Sequence, residues 1–222
     1  TAARCGWHHA GMRVLFALLL ALLAPPLLGQ AAPQAFVGHP LDSPERGVIA
    51  NRDAIIRALA LTPGLVVADV GAGTGAFMEP IARAVGPTGQ YIGVDIDRDY
   101  VETMQSRARS ANLRNTRILL SKPGDTKLAP ASVDLVVVID AYHHFDPPAP
   151  MNASMFQALK PGGRLVIVDF DRTPDSPKWV KSHVRADRAT FVNEISRAGF
   201  RLEKDLPVPS LEGHFVTQFR KD

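Results

Sequence analysis

Cysteine is all but missing: among 222 residues there is one, Cys5. It precedes an apolar run, so the chain beyond it has no disulfide framework, no thiolate nucleophile and no cysteine-based metal site. Charge of one sign is lacking as well, with 25 basic against 22 acidic side chains and a formal net charge of +3. Arg4 and Arg13 lie within the first 31 residues and no acid does, so the remainder carries 23 against 22, or +1. Without a basic stripe, no nucleic-acid partner is expected. The pairs Lys178/Lys181 and Arg185/Arg188 read as a solvated helix face. Internal repeats and low-complexity tracts are absent too. What is present, 46% hydrophobic and 21% charged residues, suits one globular domain with a real core.

The leading segment reads differently from the rest. Met12-Arg13 precedes the apolar run Val14 to Leu23, and small residues follow up to Ala31. A basic start, an apolar stretch of about ten residues and a small-x-small site match a secretory signal. A membrane-spanning helix needs about 20 apolar residues, and Pro25-Pro26 interrupts this one. The expectation is a biological start at Met12, cleavage at Ala31-Ala32 and an exported protein, periplasmic or secreted. Membrane contact would come only through an uncleaved leader. The division is therefore residues 1–31 as leader, 32–42 as linker and 43–222 as the domain.

Within the domain, helical periods alternate with short apolar runs, the pattern of a parallel sheet covered on both faces. Ser43 as N-cap and Pro44 in the first turn predict a helix carrying Val48, Ile49, Ile55, Ile56 and Leu59. Strands are expected at Leu65 to Val70, Gln90 to Val94, Thr116 to Leu120, Val133 to Ile139 and Arg164 to Asp169, the last fed by a Lys160-Pro161-Gly162-Gly163 turn. Helices end at Val85, Ala111 and Leu159, and another runs from Asp187 to Ala198. Two final runs, Phe200 to Leu206 and His214 to Phe219, read as an antiparallel pair. The fold class is α/β: a doubly wound, mostly parallel seven-stranded sheet with a C-terminal antiparallel hairpin and helices on both faces.

The turn Gly71-Ala72-Gly73-Thr74-Gly75 joins a buried strand to a helix, where missing side chains let a ligand approach the backbone. Read as Gly71-x-Gly73-x-x-Ala76, it also satisfies a dinucleotide fingerprint. Asp69, at the strand end, would repel a pyrophosphate and suits the ammonium group of a methionine moiety. Asp95 ends the next strand, where an acid accepts hydrogen bonds from ribose hydroxyls of either cofactor.

The three segments Val67-Ala-Asp-Val-Gly-Ala-Gly-Thr-Gly75, Gly93-Val-Asp-Ile-Asp97 and Leu159-Lys-Pro-Gly-Gly-Arg-Leu-Val-Ile-Val-Asp169 resemble, in order, the motifs of class I S-adenosylmethionine-dependent methyltransferases. The chain looks like exported bacterial members of that family. The resemblance implies that Asp69 and the loop Gly71, Ala72, Gly73 and Gly75 surround the methionine end of S-adenosylmethionine. It implies further that Asp95 holds the ribose, Ile96 flanks adenine and Asp125 meets the adenine amino group. Around Asp125 the sequence departs from the family pattern, because Ala129 separates Leu128 from Pro130.

Transfer from a sulfonium is an in-line displacement, so alignment of nucleophile, methyl and sulfur is the main task. Asp140, Tyr142, His143 and His144 follow the fourth strand at the edge where open α/β sheets bind ligands. His143 or His144 would take a proton from the acceptor, with Asp140 orienting the imidazole or the acceptor. The alternative is packing. A metal held by Asp140, His143, His144 and Asp146 would be chemically suitable, but adjacent positions rarely point to one place, so no metal is expected. Trp179, Phe191 and Met155 read as core, and His39, His183 and His214 as surface or packing residues. Asp169 either faces the acceptor or caps a turn. The expected partner is a small or lipophilic acceptor. An adenosyl-ligand-binding protein without turnover, and an aminopropyl-transferring enzyme, remain on the same scaffold.

Overall fold

In a computed structural model of the chain, residues 1–2 and 39–222 are described. The chain divides into two compact units, Thr1–Gln34 and Ala35–Asp222, and every described strand and helix belongs to the second. All but Thr1 and Ala2 of the expected leader, and most of the expected linker, lie outside the described residues. Among the described residues no helix is long and apolar enough to cross a membrane.

The expected alternation is present. Strands β1 (Val66–Val70), β2 (Gln90–Asp95), β3 (Thr116–Leu120), β4 (Val133–Ile139) and β5 (Leu159–Phe170) are followed by β6 (Arg201–Asp205) and β7 (His214–Arg220). They form one sheet in the order β3-β2-β1-β4-β5-β7-β6. The first five pair in parallel and β7 enters antiparallel between β5 and β6. The strand order therefore reverses between β1 and β4, which opens a crevice above their carboxyl ends.

Side-chain alternation along the strands divides the core into two layers. On β4, Val136 and Val138 face one layer with Met155, Phe191 and Ile195. Leu135, Val137 and Ile139 face the other with Ile55, Leu59, Ile81 and Val85. The first layer holds α5 (Pro148–Ala158), α6 (Lys178–His183) and α7 (Arg188–Arg197); α2 (Arg52–Ala58) and α3 (Met78–Val85) cover the second. In α3 the buried positions Met78, Ile81, Ala82 and Val85 recur at helical spacing. α4 (Arg98–Ser110) and α7 start where Asp97 and Asp187 accept backbone hydrogens from Asp99 and Thr190.

Three expectations are corrected. Ser43 caps no α-helix: its hydroxyl accepts from Glu45 N at 3.3 Å. The single helix expected there is a 3-10 turn, Pro40–Asp42, followed by α1 (Gly47–Ala50) and α2. Polar contacts described below hold this segment, so its path follows the ligand cavity rather than helix propensity. Lys160–Gly163 does not feed β5 but lies within it, as Leu159 already pairs with Val133 and the register then jumps to Leu135 with Arg164. A bulge with Gly162 at φ 73° takes up the extra residues.

Candidate active site

The crevice between β1 and β4 is a cavity of ≈ 670 Å³, a size that suits a ligand the size of a nucleoside derivative. Gly71 and Gly73 line it from the loop after β1, Asp95, Ile96 and Asp97 from the end of β2, and Ser121, Pro123 and Gly124 from the loop after β3. Asp140, Ala141, His144 and Phe145 close the far end, with Leu41 across the mouth.

Gly71 must be glycine for two reasons. Its φ is +79°, and a Cβ there would stand 2.5 Å from Ala141 Cβ. The loop can thus reach over β4 only without a side chain. Gly73 donates its N–H to Asp95 Oδ2 at 2.7 Å, and Asp97 N donates to Oδ1 at 3.0 Å. Each carboxylate oxygen keeps a second acceptor site. Asp95 therefore braces the loop and still has lone pairs for two hydroxyls. Beside it Ile96 is 56% exposed, an apolar surface at the cavity wall where a flat ring gains contact.

Asp69 does not line the cavity, a correction with a clear cause. It is buried beneath the loop, where Tyr91 donates its hydroxyl to Oδ2 at 3.0 Å. Burial, opposed by that hydrogen bond and reinforced by the charge of Asp95, pushes the Asp69 carboxyl up to about 7. Burial and the Asp69 carboxyl also raise the Tyr91 phenol. Asp125 is also displaced. It accepts from Lys127 N at 2.9 Å and pairs with the Lys127 ammonium, so an Asx turn carries its side chain away and leaves Gly124 at the cavity. Ala72 and Gly75 stand behind the lining. Gly75 lies under α4, where a Cβ would stand 2.8 Å from Met104 Cγ.

Beyond β4 the chain enters a 3-10 turn, Tyr142–His144. Asp140, at φ +50°, does not orient either neighbouring imidazole as expected. Arg46 donates to its Oδ2 at 2.9 Å, and His214 Nε2 stands 3.1 Å from Oδ1 as an ion-pair contact outside hydrogen-bond alignment. Burial lowers the His214 pKa, but contact with Asp140 outweighs it and leaves the imidazole above its usual range. The orienting carboxylate is Asp169, which does not line the cavity and instead ties the turn after β4. It is fully buried, with His143 Nδ1 at 2.7 Å, and it accepts from His143 N and Phe170 N at 3.1 and 2.7 Å.

Of the two histidines only His144 reaches the cavity; His143 lies behind it, buried. Burial and the neighbouring His143 lower the His144 pKa. The short turn defeats the expectation that adjacent rings diverge: their centroids are 4.1 Å apart. His183 joins them, 5.0 Å from each, while Asp146 and Asp140 stay outside the group of ring nitrogens. Met155 and Phe191 are core, as read, but Trp179 is 54% exposed beside Phe170.

A strap across the mouth gave no motif to read. Asp42 accepts from Thr74 Oγ1 at 2.8 Å and pairs with the Arg107 guanidinium. Burial raises the Asp42 pKa, but hydrogen bonds from Arg107 and Thr74 outweigh it and hold the carboxyl low. Arg46 ties the other end, to Leu41 O at 3.0 Å and to Asp140.

Residues 61–206 match a family described as a methyltransferase domain. An S-adenosylmethionine-dependent methyltransferase from Aquifex aeolicus shares the fold, with a TM-score of 0.72 at 20% identity over 82% of this chain and 95% of that one. A nocamycin O-methyltransferase of Saccharothrix syringae is 28% identical over 123 residues, 55% of this chain and 44% of that protein. An arsenite methyltransferase of Halobacterium salinarum is 28% identical over 122 residues, 55% and 31% respectively. The chain thus spans less than half the length of either curated relative. Since the family match takes in more than half of the chain, and the sheet order and glycine-loop cavity agree with it, the chain belongs to the methyltransferase domain family, with the class I fold.

Proposed function

We propose that the cavity binds S-adenosylmethionine and that the chain transfers its methyl group to a small acceptor entering past the turn after β4. The observation that carries this reading is the convergence of Asp95, Ile96 and the Gly71–Gly73 loop on one cavity. Asp95 offers lone pairs to the ribose, Ile96 a face to adenine, and the loop leaves room for the methionine chain. The acceptor end is walled by Phe145, Pro147, Pro150 and Met151, with His144 as the only basic side chain in the described lining. That wall favours a compact, largely apolar acceptor whose nucleophilic atom meets His144. A trivalent arsenic acceptor fits poorly, because soft ions prefer thiolates and the chain's one cysteine is Cys5.

Calorimetry with S-adenosylmethionine, S-adenosylhomocysteine and NAD tests the reading. The two adenosyl ligands are expected to bind and NAD not to; binding of NAD alone would overturn it. Asp95→Ala should weaken the adenosyl ligands by about 1.5–3 kcal/mol, the scale of hydrogen bonds to a charged group. Export is part of the same proposal, supported by the basic start and apolar run from Met12. N-terminal sequencing of protein from cell fractions should find Ala32 first, and an intact leader on cytoplasmic protein would refute it.

A further inference from the structure

Behind the acceptor end of the cavity three imidazoles converge. His143 and His144 come from the turn after β4 and His183 from the last residue of α6, and one ring nitrogen of each lies within 4.8 Å of the other two. His143 Nε2 is 3.2 Å from His183 Nε2. Two nitrogens sharing one tetrahedral zinc at its usual bond length stand about 3.3 Å apart. That pair is already at ligand spacing. His144 and His183 are exposed, so their rings are free to close the remaining gap by rotation about the side chain.

The tautomer of His143 is set from behind. Asp169 receives two backbone hydrogens and lies 2.7 Å from Nδ1. A carboxylate in that position takes the ring hydrogen on Nδ1 and leaves the Nε2 lone pair directed at the other two rings. A buried carboxylate behind an imidazole is also the arrangement that orients a histidine for a metal. Without an ion, the same two Nε2 atoms would share one hydrogen.

We propose that His143, His144 and His183 bind a divalent transition-metal ion of the zinc type, oriented by Asp169, with an open fourth position turned toward the cavity through His144. Three imidazoles and no carboxylate in the ligand set select against magnesium and calcium, which demand oxygen. At the open position the ion would hold an oxygen or nitrogen of the acceptor and lower the pKa of its O–H or N–H, so that the proton leaves to water and the ionised atom is the nucleophile. That last role rests on the methyltransferase reading; the ion site itself rests on geometry alone.

The test uses the full chain without an affinity tag, stripped by chelation and titrated with Zn(II) by calorimetry and with Co(II) by visible absorption. One ion per chain, the intense bands of four-coordinate Co(II) and no response to Mg(II) are expected. His183→Ala, at an exposed helix end, should weaken Zn(II) by at least about 100-fold, and Asp169→Asn by roughly 10–100-fold. Melting curves control for folding, and His183→Ala decides alone if Asp169→Asn does not fold. Absence of stoichiometric binding overturns the site, as does binding that His183→Ala leaves unchanged, since the ion is then held elsewhere, for example by His8 and His9. S-adenosylmethionine binding measured on the same protein separates the two readings: adenosyl binding without zinc removes only the metal, and zinc without adenosyl binding removes only the methyltransferase reading. Turnover adds a further discrimination. If His144 acts as a proton acceptor without metal, His183→Ala leaves turnover intact; with the metal, His144→Ala and His183→Ala lose it together.

Discussion

At the scale of single residues, the two acids that flank the glycine loop have exchanged importance. Asp95 both braces the loop and borders the cavity, whereas Asp69 is sealed under it against Tyr91. A carboxyl whose folded pKa is raised binds its proton more tightly in the native state than in the unfolded chain. Its contribution to stability is full below its ordinary value of 3.8 and is lost as pH rises through about 7. Asp69→Asn keeps the shape and removes the titration. In urea unfolding, the variant should gain on the wild type by an amount on the order of a few kcal/mol between pH 4 and pH 8. A constant difference across that range would show that Asp69 does not titrate there. Sequence placed both acids correctly along the chain. It did not show which one lined the cavity, because Asp69 is directed by Tyr91, a partner 22 positions away with no local signal.

At the scale of elements, the strap from Pro40 to Arg46 is the part that binds the site together. Asp42 links it to Thr74 on the glycine loop and to Arg107 on α4, Arg46 to Asp140 at the end of β4. Leu41 meanwhile lies against Gly73, where a Cβ would come within 3.0 Å of it. For a ligand held under Leu41, release would require these ties to open. Asp42→Ala should therefore speed S-adenosylhomocysteine release in stopped-flow several-fold, while lowering stability by about 1–2 kcal/mol, on the scale of a part-buried charged hydrogen bond. An unchanged release rate would make the strap scaffold only. The sheet and most helices were legible because burial on both faces leaves continuous apolar runs, such as Leu135 to Ile139, between turn residues. The strap was not, since polar ties to Thr74, Arg107 and Asp140 hold it and no periodicity records them. His183 escaped for the same reason: it lies 40 positions from His143, and only the packing of α6 against the first layer, through Val180, brings it there.

At the scale of the whole molecule, the question is what the segment before the domain contributes to it. Among the described residues, the buried members of the two core clusters fall between Val48 and Phe219. The described cavity lining runs from Leu41 to Met151. The ties that hold the strap are to Thr74, Arg107 and Asp140, all within the same unit. Among the described residues the sources of stability are therefore apolar burial around one sheet and a set of polar latches within the second unit. A chain beginning at Ala32 should melt within about 2 °C of the full chain, the shift expected for less than 1 kcal/mol in a domain of this size. It should also bind S-adenosylhomocysteine with the same affinity, because the strap that covers the mouth is retained whole. Differential scanning calorimetry and titration calorimetry on the two proteins, at matched pH and salt, make the comparison. A fall in melting temperature well beyond that margin would mean that the leading segment packs on the domain and is more than an address. Loss of affinity at an unchanged melting temperature would mean that the leading segment contributes to ligand binding and not to folding.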